Sequence, residues 1–132
     1  MKPQVKVGLT CFIRRYFGTG WKYLVGRRKG SHGAGLLSVP GGGQEFGERM
    51  VEGAFREIEE ECGKGLRVKF VKVIDVCDLM DYLPEKQYVD VALLFDWIEG
   101  EPKTVEPEKC EGWEWEWAGD LLRPRDDLFP GV

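Results

Sequence analysis

Residues 49–62 constrain this chain more than any other segment. Arg49 to Cys62 read as the one strong helix, bracketed by Gly47 and Gly63, with Gly63 placed as a C-cap. The rest is patterned as strands. Val7, Leu9, Cys11 and Ile13 share one parity within Lys6 to Arg14, which predicts a half-buried strand. Trp21 to Arg27, the Val-dense Leu66 to Cys77 and the nearly continuous apolar run Tyr88 to Ile98 predict three more. Trp113, Trp115 and Trp117 alternate with Glu114 and Glu116, the pattern of an edge strand with the indoles turned inward or onto an interface, or else stacked on a substrate. With 18 glycines and seven prolines in 132 residues, a bundle of long helices is excluded. One helix among about six strands predicts an α+β or α/β sandwich, a single domain over residues 1–132.

Several function classes fall away on charge and composition. No run of 18 apolar residues exists, so no membrane-spanning helix is expected. The opening MKPQVKVGL enters strand alternation at once and does not read as a signal peptide. Cysteines at 11, 62, 77 and 110 do not have zinc-ligand spacing and predict reduced, mostly buried thiols, which suits a cytoplasmic protein. A net charge of -4 argues against a duplex nucleic-acid partner. A phosphorylated small molecule is still allowed, met by a local basic cluster or by metal ions on carboxylates.

The helix concentrates acid. At about 100° per residue, Glu57, Glu60 and Glu61 fall within one narrow sector. The stripe formed by Val51, Phe55, Ile58 and Cys62 lies beside it and is expected to face the core. Gly53 and Ala54 occupy the acidic sector one turn earlier and leave room there. Arg56 lies four residues before Glu60 and can brace it. Like charges at this spacing repel, and they sit toward the negative end of the helix dipole. A hard divalent cation would relieve that conflict, and a solvated acidic face is the alternative. The preceding Pro40-Gly41-Gly42-Gly43 reads as a loop free to approach a ligand closely, with Glu48 just ahead of the helix.

Gly42, five residues, Glu48, seven residues, then Arg56-Glu57-Ile58-Glu59-Glu60-Glu61-Cys62-Gly63 resembles the Nudix box, G-x5-E-x7-R-E-U-x-E-E-x-G-U with U aliphatic. Lys64 departs from the aliphatic residue usual at the last position. The stretches GRRKGS, PGGGQEFGE and EPKTVEPEKCEGWEW are similar to the MutT-like, nucleotide-pool-cleaning branch of that family. The resemblance implies an α/β/α sandwich around a mixed β-sheet and Mg²⁺- or Mn²⁺-dependent hydrolysis of a nucleoside di- or triphosphate, dGTP-like or its 8-oxo form. The products would be the monophosphate and phosphate or pyrophosphate. It implies that Glu57, Glu60 and Glu61 bind the metal with help from Gly41 or Gly42, and that Glu108 joins the metal shell or helps activate water. Arg56 would orient Glu48 and the helix.

Phosphate or leaving-group contacts are expected from Arg27, Arg28 and Lys29, Arg28 first, with the alternative that they are solvated loop charges; the single histidine, His32, is a weaker candidate. Base recognition is expected from a pocket of Thr10, Leu36, Phe129, Gly131 and Val132, with Tyr82 and Tyr88 at the rim of that pocket or at a dimer seam. Alternatives are another organic diphosphate, such as an isoprenyl diphosphate or a nucleotide sugar, or a catalytically silent ligand-binding scaffold of the same fold. The tryptophan strand is compatible with a homodimer.

Overall fold

The computed structural model describes residues 2–29 and 36–118. Its elements run β1 (Val5–Tyr16), β2 (Trp21–Arg28), β3 (Leu37–Ser38), β4 (Gly41–Gly43), α1 (Met50–Cys62), β5 (Arg67–Leu79), β6 (Gln87–Glu99) and β7 (Cys110–Trp117). The strands form one sheet in the order β3-β2-β1-β6-β5, with β4 added to β1 and β7 to β2. The sheet is mixed, since β1 and β6 run parallel from Val5↔Gln87 to Arg14↔Asp96 while the other pairings are antiparallel. One helix on a mixed sheet is the arrangement expected of a Nudix-type α/β/α sandwich.

Burial follows the sequence pattern. β6 lies between β1 and β5, and Asp90 to Phe95 are buried without interruption, as expected of a strand covered on both faces. The odd-numbered residues Leu9, Cys11 and Ile13 of β1 enter the main core with Val91, Leu93 and Phe95 of β6 and Ala54, Ile58 and Cys62 of α1. A second cluster, Val25, Leu37 and Val39 with Phe12 against it, forms separately. The expected core stripe of α1 needs one correction: Phe55 is 40% exposed and meets Phe95 only edge-on, at 5.2 Å. Ala54 takes the central place, because a small residue lets the helix settle close to β1.

The tryptophans divide. Trp113 and Trp115 pack against the main core, whereas Trp117 is exposed and lies under Lys22. All four cysteines are free thiols; Cys11 and Cys62 are buried, Cys110 is partly covered and Cys77 is exposed on the edge strand. No helix among the described residues is long and apolar enough to cross a membrane.

A divergence of strands positions the site. β1 and β2 pair only over Arg14–Tyr16 and Trp21–Tyr23. Farther along, β2 pairs with β3 and β1 with β4. The chain thus crosses from β2 to β1 through Val39 and Pro40, fixed by the Cys11 N–H donating to the Pro40 carbonyl at 2.8 Å. The glycine triplet expected as a loop is therefore a short strand. A Cβ on Gly41 would lie 2.1 Å from the Leu9 carbonyl oxygen, so only glycine allows this approach.

Candidate active site

Glu57 and Glu61 occupy the row of α1 that begins at Gly53, next to the buried row Ala54, Ile58 and Cys62. That position half-buries both carboxylates instead of leaving them in solvent. Glu60 lies one step outward and is exposed. The Gly41 N–H donates to Glu61 Oε2 at 3.0 Å, and a Cβ on Gly42 would lie 2.5 Å from the Glu57 carboxylate. The glycine strand and the acidic row are in direct contact. Trp113 fixes the end of the helix by donating its indole N–H to the Glu61 carbonyl at 3.0 Å.

Arg56 organises the acids around it. Nε and Nη2 grip the two Glu48 oxygens at 3.1 and 2.8 Å, a bidentate pair. Nη2 also donates to the Gly43 carbonyl at 2.9 Å, and Nη1 to Glu57 at 2.8 Å and Glu60 at 3.3 Å. A guanidinium has five N–H donors, and these five bonds engage them all. Arg56 is thus committed to Glu48, the glycine strand and the acidic row. Glu48 also accepts from the Glu45 N–H at 2.8 Å, and Arg56 first, then that amide, hold its carboxyl below the usual carboxylate range.

Burial pushes the Glu61 carboxyl up to about 8; the Gly41 amide opposes the rise and the neighbouring Glu57 adds to it. Glu57 is also raised, by burial first, against the pull of Arg56. Among the described residues no group of three His, Cys, Asp or Glu side chains converges as a ready-made metal cluster. The donors nevertheless suit a hard dication: they are carboxylate oxygens, burial disfavours their charge in the absence of a cation, and the Gly42 backbone abuts them with no side chain between.

Two connected cavities surround this row. The larger, about 620 Å³, runs from Gly41–Gly43 and Glu61 past Arg28 to Thr10, Asp90 and the ring pair Tyr82–Tyr88. The smaller, about 380 Å³, is lined by Glu57, Glu60, Glu61, Glu106, Lys109 and Trp113 among others. Arg28 lines both cavities and Arg27 neither. Thr10 lies in the larger cavity; Leu36 lines neither, its carbonyl accepting from the Arg28 N–H at 2.9 Å. Glu108 is exposed and lines neither cavity, whereas Glu106 lines the smaller one beside Glu61. The turn that brings the Lys109 and Cys110 N–H groups onto the Glu106 carbonyl accompanies that choice. His32, Phe129, Gly131 and Val132 lie outside the described residues.

Sequence reasoning missed Glu106, because two glutamates two residues apart in a loop are not separable by pattern. It also missed Asp90, one of two acids in an apolar strand, because the pattern does not show that Asp90 is buried while Asp96 is not.

A family model of the NUDIX domain matches residues 6–130, so the chain belongs to the Nudix family. It is 33% identical over 88 residues to an ADP-ribose pyrophosphatase of Methanocaldococcus jannaschii, covering 67% of this chain and 51% of that protein. The chain therefore spans about half the length of that curated relative. Among solved structures it is similar to a MutT NUDIX hydrolase from Burkholderia pseudomallei, with 29% identity, a TM-score of 0.76, and 96% of this chain and 92% of that one covered. The MutT protein from Methanosarcina mazei Go1 is alike in fold, with 22% identity, a TM-score of 0.73, and 98% and 88% covered.

Proposed function

We propose that the protein hydrolyses a phosphoanhydride bond of a nucleoside di- or triphosphate, dGTP-like or 8-oxo-dGTP, in a Mg²⁺- or Mn²⁺-dependent reaction. The products are the nucleoside monophosphate and phosphate or pyrophosphate. The observation that carries this reading is the half-buried Glu57–Glu61 pair against Gly41 and Gly42, at the floor of a cleft that continues past Arg28. Phosphoanhydride hydrolysis requires neutralised phosphate charge, an activated water and in-line geometry. Glu57 and Glu61 would hold the cation, with Glu60 and the Gly41 or Gly42 carbonyl beside them. When bound, it would supply charge neutralisation and a more acidic water. Arg28 lines the cleft between the acidic row and Asp90, where a phosphate chain would pass. Arg56 keeps Glu48, Glu57 and Glu60 in place. Glu106, and not Glu108, is the loop carboxylate that lines the acidic cavity.

The likeness to an ADP-ribose pyrophosphatase favours a second reading, in which the diphosphate joins a nucleoside to a sugar. We place a homodimer and a cytoplasmic location in the same proposal; light scattering tests the first.

The deciding experiment is a panel of dGTP, 8-oxo-dGTP, dATP, ADP-ribose and an isoprenyl diphosphate, assayed for phosphate and monophosphate release. With Mg²⁺, dGTP should yield dGMP. Glu57→Gln, Glu60→Gln and Glu61→Gln should each slow turnover by about 100-fold or more. Full activity in excess chelator would remove the metal from the mechanism.

A further inference from the structure

Asp90 is the one charged side chain that is buried among the described residues, at 7% exposure, and the chemistry at Glu57 and Glu61 leaves it unused. It lies on β6 opposite Gly8 of β1, in the larger cavity, away from the acidic row. Thr10 Oγ1 stands 2.8 Å from both Asp90 oxygens. A hydroxyl has one proton, and an ionised carboxylate offers about four acceptor positions. Thr10 therefore satisfies only a fraction of what a buried carboxylate requires. Gly8 leaves the opposite side open, since a Cβ there would come within 3.1 Å of Oδ1. The Tyr88 ring, met edge-on by Tyr82 at 6.3 Å, borders the same space. An acceptor with unfilled capacity beside an aromatic wall suits a flat heterocycle that presents adjacent N–H groups.

We propose that Asp90 is the specificity-determining residue of the cleft, its carboxylate accepting the paired N–H donors of a guanine-type base while Thr10 holds it in place. This deepens the nucleotide reading above and rests on it for the identity of the ligand class. Burial holds the Asp90 carboxyl above its usual range and Thr10 pulls it back; two ligand N–H donors would act in the same direction as Thr10. Adenine presents one donor beside one acceptor on the corresponding edge, and hypoxanthine lacks the 2-amino group. A carboxylate therefore ranks the three bases.

The test is calorimetric binding of GMP, IMP and AMP to the full chain, ligands with no anhydride to cleave, alongside kcat/KM for the matching triphosphates. The wild-type protein should bind GMP about 10- to 100-fold tighter than IMP, and AMP more weakly still. Asp90→Asn is isosteric and replaces one acceptor with a donor, which matches the adenine edge. It should lose GMP affinity by at least about tenfold and gain affinity for AMP. A merely loosened cleft cannot produce that gain. Equal binding of GMP and IMP by the wild type, binding of none of the three, or an equal loss of all three in Asp90→Asn overturns the assignment. The ranked binding without turnover of any nucleotide would support Asp90 and defeat the proposed reaction. Turnover without ranking would do the reverse.

Discussion

At the scale of single residues, the site depends on places where a side chain is missing. Gly41 and Gly42 are neighbours on β4, yet what faces them differs in kind. A Cβ at Gly41 meets the Leu9 backbone, which cannot move without lifting β4 from β1. Gly41→Ala should therefore lower stability by about 1–3 kcal/mol, read by urea unfolding. A Cβ at Gly42 meets the Glu57 carboxylate, and that carboxylate is held by Arg56. Gly42→Ala should cost at least about tenfold in turnover with little change in unfolding midpoint; a large stability loss with normal turnover would reverse this reading. Arg56→Lys replaces five directed donors with a compact ammonium and cannot reproduce the bidentate grip on Glu48. A loss of about 10- to 100-fold in activity is expected, with the chain still folded by circular dichroism.

At the scale of elements, α1 is defined by its ends. The Arg49 N–H donates to Glu52 Oε1 at 2.9 Å at the start, and Gly63 closes the helix at φ 87°, its N–H donating to the Glu59 carbonyl. A Cβ on Gly63 would meet only ordinary contacts at 3.6–3.8 Å, so Gly63→Ala tests backbone strain alone. The expected loss is about 1–3 kcal/mol in urea unfolding; no change would mean the backbone there adapts at no cost. This helix was legible in the sequence because its period, its acids and its bracketing glycines agree. β6 was legible from its unbroken apolar run, and the core parity of β1 from its alternation. β4 was not, because three glycines have no side-chain pattern and their strand character comes from Leu9 and Thr10 across the gap. Phe55 followed the right period and still lay at the rim, since helical angle does not reveal how far a sheet extends beneath the helix. The glutamate that lines the cleft, Glu106, was decided by a turn and not by spacing.

At the scale of the whole molecule, the acidic row links folding to pH and to metal. In an unfolded chain a glutamate ionises near the ordinary value of 4.5, whereas burial pushes Glu61 up to about 8 in the folded protein. Between those values the folded state binds more protons than the unfolded state, so stability falls as pH rises through this window. Below it both states are protonated and the penalty is absent; above it the penalty is complete. Glu57 and Asp90, both raised by burial, act with the same sign. In excess chelator, the thermal midpoint should therefore decline from about pH 5 to about pH 8. Saturating Mg²⁺ should flatten that decline, because a cation neutralises the buried carboxylates and adds binding energy to the folded state alone. Glu61→Gln should flatten it without metal, by removing the group that titrates, and should also remove most of the stabilisation by Mg²⁺. Scanning calorimetry at several pH values, with and without Mg²⁺, reads all three effects. A wild-type midpoint that rises with pH in chelator, or a Glu61→Gln protein stabilised by Mg²⁺ as strongly as the wild type, would show that this pair is not where proton and cation compete.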